Sequence, residues 1–365
     1  MNEIAKELEI LTSIPALSGM EDRMIKEMVA RLKPLADSLE VDRIGNITAT
    51  FNGRSDQEPT MLVFAHMDEL GLMISKIEKN GYLRFNRIGG VPEKTLMGQW
   101  FDVHTTDGSK SYGGFVGTYA HHLTPDEWKK NIPSHDKMYI DIGASSEEEV
   151  IARGINIGSA VTYMHNFKHL TDNLITSKTL DNRIGCLMLI KLAEHLKVNP
   201  PAGKVYIVVS VQEEFNIRGV MPAFYRLEPD AAICIDITIA CDTPDLNFKY
   251  NMQLGKGPAI TQMNFHGRGT LAGIIPNPPL RRFMENTLDE LGMPWQRDIV
   301  IGVITDDAFT IMAGTQGTAM AHLAIPMRYS HSPIETADLN DIAAGIKALN
   351  TIVSKFDHKL DLSRG

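Results

Sequence analysis

Hydrophobic and polar positions follow different periods in different parts of the chain. In the first 36 residues the apolar positions recur at helical spacing, with Ile4, Leu8 and Leu11 on one face and Ile25, Met28, Val29 and Leu32 on another. These patterns predict two covering helices. From Pro201 onward the chain delivers short β-branched or apolar runs, namely KVYIVVSVQ, AAICIDI, QRDIVIGV and TAMAHLAI. Between or beside them lie amphipathic stretches: NRIGCLMLIKLAEHL, NPPLRRFMENTLDEL and LNDIAAGIKALNTIVSKF. Continuously apolar strands alternating with amphipathic helices predict an α/β fold whose central sheet is covered by helices on both faces.

From about Gly71 to Tyr163 the texture changes to short alternating strands with two hairpin signals, Asn80-Gly81 and Asp107-Gly108. A single helix is predicted there, over TPDEWKKN. The strand before this segment and the helices after it need each other to complete one sheet. The organisation expected is therefore a catalytic domain made of residues 1–70 and 164–365, interrupted by a small β domain at 71–163. The sequence contains no internal repeat and no low-complexity segment.

Composition narrows the function classes. At 365 residues, 43% hydrophobic and 22% charged, the chain has the make-up of an ordinary globular protein with room for a large core. Its formal net charge of −9 comes without any Lys/Arg-rich run, which argues against nucleic acid and anionic membrane as partners. No apolar stretch approaches the roughly 20 residues that span a bilayer, and MNEIAKELEILTSI reads as an amphipathic helix rather than a signal peptide. A cytoplasmic protein is expected. Cys186, Cys234 and Cys241 are odd in number and lack C-x-x-C spacing, so they are read as small buried hydrophobes.

The candidate chemistry begins in MLVFAHMDELGLM, where an apolar run ends on His66, Asp68 and Glu69 before turning apolar again. Four later stations share the feature of lying at a strand end or a helix start. They are Asp181 in SKTLDNRIG, Glu213 and Glu214 in VVSVQEEFNIRG, Asp236 in ICIDIT, and His331 in RYSHSPIE. Carboxyl ends of strands form the ligand crevice of open α/β sheets, so these stations are expected to converge. Imidazoles and carboxylates without thiolates suit zinc, cobalt or manganese better than calcium. Two divalent ions would bring four positive charges, of which Asp181, Glu214 and Asp236 offset three, leaving Glu213 to act as a base. His66 and Asp68 are two apart and share a strand face, which suits a carboxylate that fixes the tautomer of a ligating imidazole. Adjacent Glu213 and Glu214 can serve one site only if the strand ends there, and FNIRG reads as that ending.

Taken together and in this order, HMDELG, LDNRIGC, VQEEFNIRG, IDITIACDTP and RYSHSPIE resemble the TET-type dinuclear metallo-aminopeptidases, a family that includes glutamyl, lysyl and deblocking aminopeptidases and cellulase-M-like members. The resemblance spans nearly the whole chain. It implies a zinc-peptidase-like three-layer sandwich, with a mixed central sheet flanked by helices and an inserted β-barrel or PDZ-like lid. It implies two divalent metal ions per subunit, Zn2+ or Co2+ and alternatively Mn2+, with Asp181 bridging them. His66 and Asp236 would complete one site, Glu214 and His331 the other, with Glu213 as general base and Asp68 orienting His66. A cis peptide after Asp181, short peptides as substrates and assembly of dimers into a twelve-subunit tetrahedral shell are implied as well. The nearest alternative is a related dinuclear hydrolase, either a carboxypeptidase or an amide deacylase.

Several other features invite functional readings that their surroundings do not favour. Adjacent His121 and His122 are expected on a solvated loop or subunit contact, and His322, inside TAMAHLAI, in the core. FHGRGTLAG lacks the terminal Lys-Ser/Thr of a phosphate loop, and the resemblance, in which the matching stretch lies near the active site, implies a substrate-side loop. Where many family members have Gly-Thr-Asp-Ala, this chain reads Thr305, Asp306, Asp307 and Ala308, placing an extra carboxylate near the expected substrate pocket.

Overall fold

The structure is a computed structural model that describes residues 2–216, 218–265, 273–301 and 317–364. Two helices open the chain, α1 (Asn2–Ser13) and α2 (Asp22–Leu32), followed by strands β1 (Ser38–Val41), β2 (Ile47–Phe51) and β3 (Met61–His66). Strands β4 (Gly71–Ile77), β5 (Leu83–Ile88), β6 (Trp100–His104), β7 (Ser111–Val116), β8 (Ile140–Asp141) and β9 (Ala160–Tyr163) close into a barrel ordered β4-β5-β8-β7-β6-β9. Short helices α3 (Asp126–Lys130) and α4 (Glu147–Ala152) lie along this stretch. The chain returns through β10 (Lys168–His169), β11 (Leu174–Ser177) and the long α5 (Leu180–Val198) to β12 (Val205–Ser210), α6 (Met221–Leu227) and β13 (Ala231–Ile239). It finishes with β14 (Ala259–Phe265), β15 (Gly273–Ile274), α7 (Pro278–Glu290), β16 (Gln296–Ile301), β17 (Ala319–Arg328), β18 (Glu335–Asp338) and α8 (Leu339–Lys355).

Among the described residues the main sheet has twelve strands, with the path β1-β2-β12-β3-β13-β17-β18-β11-β10 and β14 to β16 branching from β17. Its centre is parallel: Ser210 stands opposite His66, Cys234 opposite Phe64 and Asp236 opposite Ala324. Strand alternation divides the core. Met61, Val63 and Ala65 join the large cluster under α1, α2, α5, α7 and α8, whereas Leu62 and Phe64 face α6 with Val208, Ala232 and Cys234. Phe64 meets Phe224 of α6 edge to face at 5.3 Å, and each fully buried large side chain of this kind contributes about 1.5–3 kcal/mol. His66 and Asp236 continue the parity of that second face, just where its apolar cover runs out.

The expected mixed sheet, flanking helices and β-barrel are all present. Both hairpin signals bend the barrel chain: Gly81 and Gly108 take positive φ between β4 and β5 and between β6 and β7. Three local expectations need correction. On α2 the fully buried side chains are Met24, Met28 and Leu32, because the core stripe runs at i, i+4 and i+8, while Ile25 and Val29 pack at its edge. Helix α4 went unforeseen in the 71–163 segment, although Ser146 caps it by accepting from the Glu149 amide and Glu149 reaches back to Ser145. Asp236 lies inside β13 rather than at its end, because β13 outruns its neighbour β3.

His121 and His122 sit exposed in a short 3-10 turn, and His322 is buried beside the Thr261 hydroxyl at 2.8 Å. All three cysteines are buried. No helix among the described residues is long and apolar enough to cross a membrane. The 266–272 part of FHGRGTLAG and the Thr305–Ala308 stretch lie outside the described residues.

Candidate metal centre

Five of the residues singled out by the motifs form two overlapping groups, His66 with Asp181 and Asp236, and Asp181 with Glu214 and His331. Within each group one donor atom per residue lies within 4.8 Å of the others. Asp181 belongs to both. Its Oδ1 lies 3.2 Å from His66 Nε2, and its Oδ2 lies 3.8 Å from His331 Nε2. Asp236 Oδ1 is 3.9 Å from His66 Nε2, and Glu214 Oε2 is 3.7 Å from His331 Nε2. Glu213 stands outside both groups, with Oε2 3.9 Å from His66 Nε2.

Local chain geometry explains how these side chains meet. Helix α5 does not start as a regular helix: Asp181 and Asn182 have non-helical backbone angles and the peptide between them is cis. Asn182 donates to the Ile235 carbonyl at 2.8 Å, which ties the start of α5 to β13 beside Asp236. Gly185 permits the close approach of α5 to β3, since a Cβ there would lie 2.7 Å from the Ala65 methyl. Strand β12 ends at Ser210 and Gln212 adopts a left-handed φ of 57°, so Glu213 and Glu214 leave the strand before their side chains reach the site.

Asp68 does more than the sequence suggested. His66 Nδ1 lies 3.2 Å from the Asp68 carbonyl and 3.4 Å from its Oδ1, so an Nδ1–H donating to Asp68 leaves Nε2 to present its lone pair to the cluster. The same carboxylate accepts from Ser18 Oγ at 2.5 Å, from the Glu213 amide at 3.0 Å and from the Glu214 amide at 3.1 Å. One side chain thus fixes an imidazole and the backbone of two glutamates. His331 is held differently, its Nδ1 lying 3.2 Å from the Gly90 carbonyl on the loop after β5. A Cβ at Gly90 would lie 2.6 Å from that nitrogen, so only glycine lets the barrel loop come this close.

Further residues here had no role assigned from the sequence. Buried Glu69 accepts from Lys178 Nζ at 2.6 Å, from the Thr179 hydroxyl at 2.9 Å and from the Ala16 amide at 2.8 Å. Arg183 donates to the Leu11, Ile14 and Met67 carbonyls, pinning the α1–α2 connection under the site. Glu335 accepts from the amides of Asp181 and His331. The available signal was position: Glu69, Lys178, Arg183 and Glu335 are charged residues inside the very motifs that supply the cluster.

Burial pushes the Glu214 carboxyl up to about 7; His331 opposes the rise and the Asp181 charge adds to it. The carboxylate of Glu214, followed by that of Asp181, raises His331 despite its burial. Burial opposes protonation of His66, but the hydrogen bonds with Asp181 and Asp68 and the Glu213 and Asp236 charges raise it well above its ordinary value. Glu214 holds its proton more tightly because it is buried with the Asp181 charge beside it, and added positive charge would relieve this. The donor set of imidazole nitrogens and carboxylate oxygens fits borderline divalent cations, which would supply that charge.

The M42 glutamyl aminopeptidase profile matches residues 45–348. Over 345 residues the chain is 34% identical to lysyl aminopeptidase of Pyrococcus furiosus, covering 93% of this chain and 94% of that one. Among solved structures, aminopeptidase APDkam598 of the archaeon Desulfurococcus kamchatkensis matches with a TM-score of 0.91 at 33% identity, over 99% of this chain and 98% of that one. The Pyrococcus horikoshii TET1 peptidase, which can assemble into a tetrahedron or a large octahedral shell, matches with a TM-score of 0.85 at 29% identity, over 96% and 99% of the two chains. The family read from the five motifs is thus found again by likeness along the chain and in the fold. The chain belongs to the M42 glutamyl aminopeptidase family, a family of peptide-bond hydrolases.

Proposed function

We propose that this protein is a metal-dependent aminopeptidase that removes the first residue of short peptides, using two divalent ions, Zn2+ or Co2+ and alternatively Mn2+. The observation that carries the reading is the double engagement of Asp181, one carboxylate oxygen toward His66 and the other toward His331. In this reading His66 and Asp236 would hold one ion and Glu214 and His331 the other, with Asp181 available to both. When bound, the ions supply Lewis acidity toward the scissile carbonyl and make water easier to deprotonate.

The chain's own residues perform the remaining work. Glu213 accepts a proton from the attacking water as the new C–O bond forms at the carbonyl carbon. It returns that proton to the departing nitrogen as the C–N bond breaks, so the carboxylate is regenerated. Asp68 keeps Glu213 in place through its amide and His66 in one tautomer. Residues 71–163 form the lid and dimerisation domain in this account, and its Gly90 carbonyl reaches His331. Assembly into closed shells, as in the P. horikoshii relative, would restrict entry to short peptides.

The test is a peptide offered with its amino terminus free and with the same terminus acetylated. Release of the first residue from the free form only is the expected result. Release from the carboxyl end would instead mark a carboxypeptidase, and removal of the acetyl group an amide deacylase.

A further inference from the structure

We propose that Glu335 is the positioning residue that holds the two halves of this metal centre in register, an inference that rests on the metal-dependent reading above. Strand β18 lies between β17 and β11 in the sheet, and Glu335 is its first residue. Both flanking strands run into cluster residues. Strand β11, with Ser177 opposite Glu335, leads through Lys178 and Thr179 to Asp181. Strand β17 ends at Arg328, and the chain then turns through Tyr329 to His331.

Glu335 captures the main chain of both turns with one carboxylate. Oε2 accepts from the Asp181 amide at 3.1 Å, and Oε1 accepts from the His331 amide at 3.0 Å. Those turns are not self-supporting. Thr179, Tyr329 and His331 have φ of 64°, 60° and 62°, a left-handed conformation that non-glycine residues keep only where the surroundings impose it. Glu335 is 2% exposed, so no water competes freely for these amides. Ionised, the carboxyl group has two acceptor oxygens and no donor, so Glu335 meets the two N–H groups with one oxygen each. Fixing the Asp181 and His331 amides fixes where their side chains begin, and hence the Oδ2 to Nε2 separation of 3.8 Å.

Glu335→Gln tests this directly. The amide keeps the size of the side chain but offers one oxygen and one NH2, so one backbone N–H must face a donor. Chelator-stripped wild-type and variant proteins are titrated with Co2+ or Zn2+ by calorimetry, and the metal-free proteins are melted in parallel. Wild type is expected to bind two ions per chain. The variant is expected to bind the weaker of them on the order of 10–100-fold less tightly, the range for lost partners of metal-holding groups. Glu335→Asp, which keeps two acceptors on a shorter arm, should recover part of the affinity. A residue that merely satisfied buried amides would lower the melting temperature of the metal-free protein and leave metal affinity alone, and that result overturns the proposal. Should Glu335→Gln not fold, wild-type affinity for both ions in Glu335→Ala, which has no acceptor, overturns it equally. Failure of the wild type itself to bind two ions would count against the metal-dependent reading instead.

Discussion

Glu213→Gln is expected to lower kcat by on the order of 10²–10⁴ while the protein retains its full complement of metal. Glu213 lies outside both groups of candidate ligands, yet its Oε2 is 3.9 Å from His66 Nε2, close enough to serve the proposed reaction centre. Its position is set through the main chain, by the amide that donates to Asp68 Oδ1 at 3.0 Å. Substitution by Gln leaves that hydrogen bond and the side-chain volume in place and removes the ability to take a proton. Because proton transfer is needed in the transition state and not for substrate binding, kcat and kcat/KM should fall together with KM little changed. Steady-state kinetics on an aminoacyl amide, with metal content measured on the same sample, checks both halves of the expectation. Wild-type activity in the variant would remove Glu213 from the mechanism.

Asp181→Ala should do more damage. The carboxylate is common to both groups of candidate ligands, and its two oxygens face two different imidazoles. Its removal leaves each group with two side chains and takes away one of the negative charges that would offset the proposed ions. Lewis-acid stabilisation is worth several kcal/mol, and about 1.4 kcal/mol corresponds to tenfold, so a loss of roughly a thousandfold or more in kcat/KM is expected. Unlike Glu213→Gln, this variant should come out of dialysis depleted of metal. The contrast is diagnostic: one substitution separates binding from chemistry, whereas the other abolishes the binding on which the chemistry depends.

Much of this architecture was legible because its signals are local. Parallel strands buried on both faces read as unbroken apolar runs such as MLVFAH and VYIVVS, and the amphipathic helices read by period. The residues of the cluster were legible for a related reason, since a polar group interrupting such a run needs explanation. Other features were not visible in that way. The role of Asp68 as acceptor for Ser18 and for two amides depends on contacts between residues about 50 and 145 positions apart, which no periodicity encodes. Glu335 sat inside a quoted motif, but its function is to receive backbone N–H groups, and backbone donors carry no sequence signature. The position of Asp236 inside β13 was missed because the length of a strand depends on its neighbours. Helix α4, by contrast, had a legible S-x-x-E cap that the alternating strands around it masked.

The most direct measurement of the central claim is the rate at which chelator-stripped protein releases the first residue of a free-amine peptide as divalent ions are restored in known ratio to protein. The account predicts negligible activity in the stripped protein and a rise that levels off at two ions per chain. Full activity in the stripped protein, or a plateau at one ion, would contradict it.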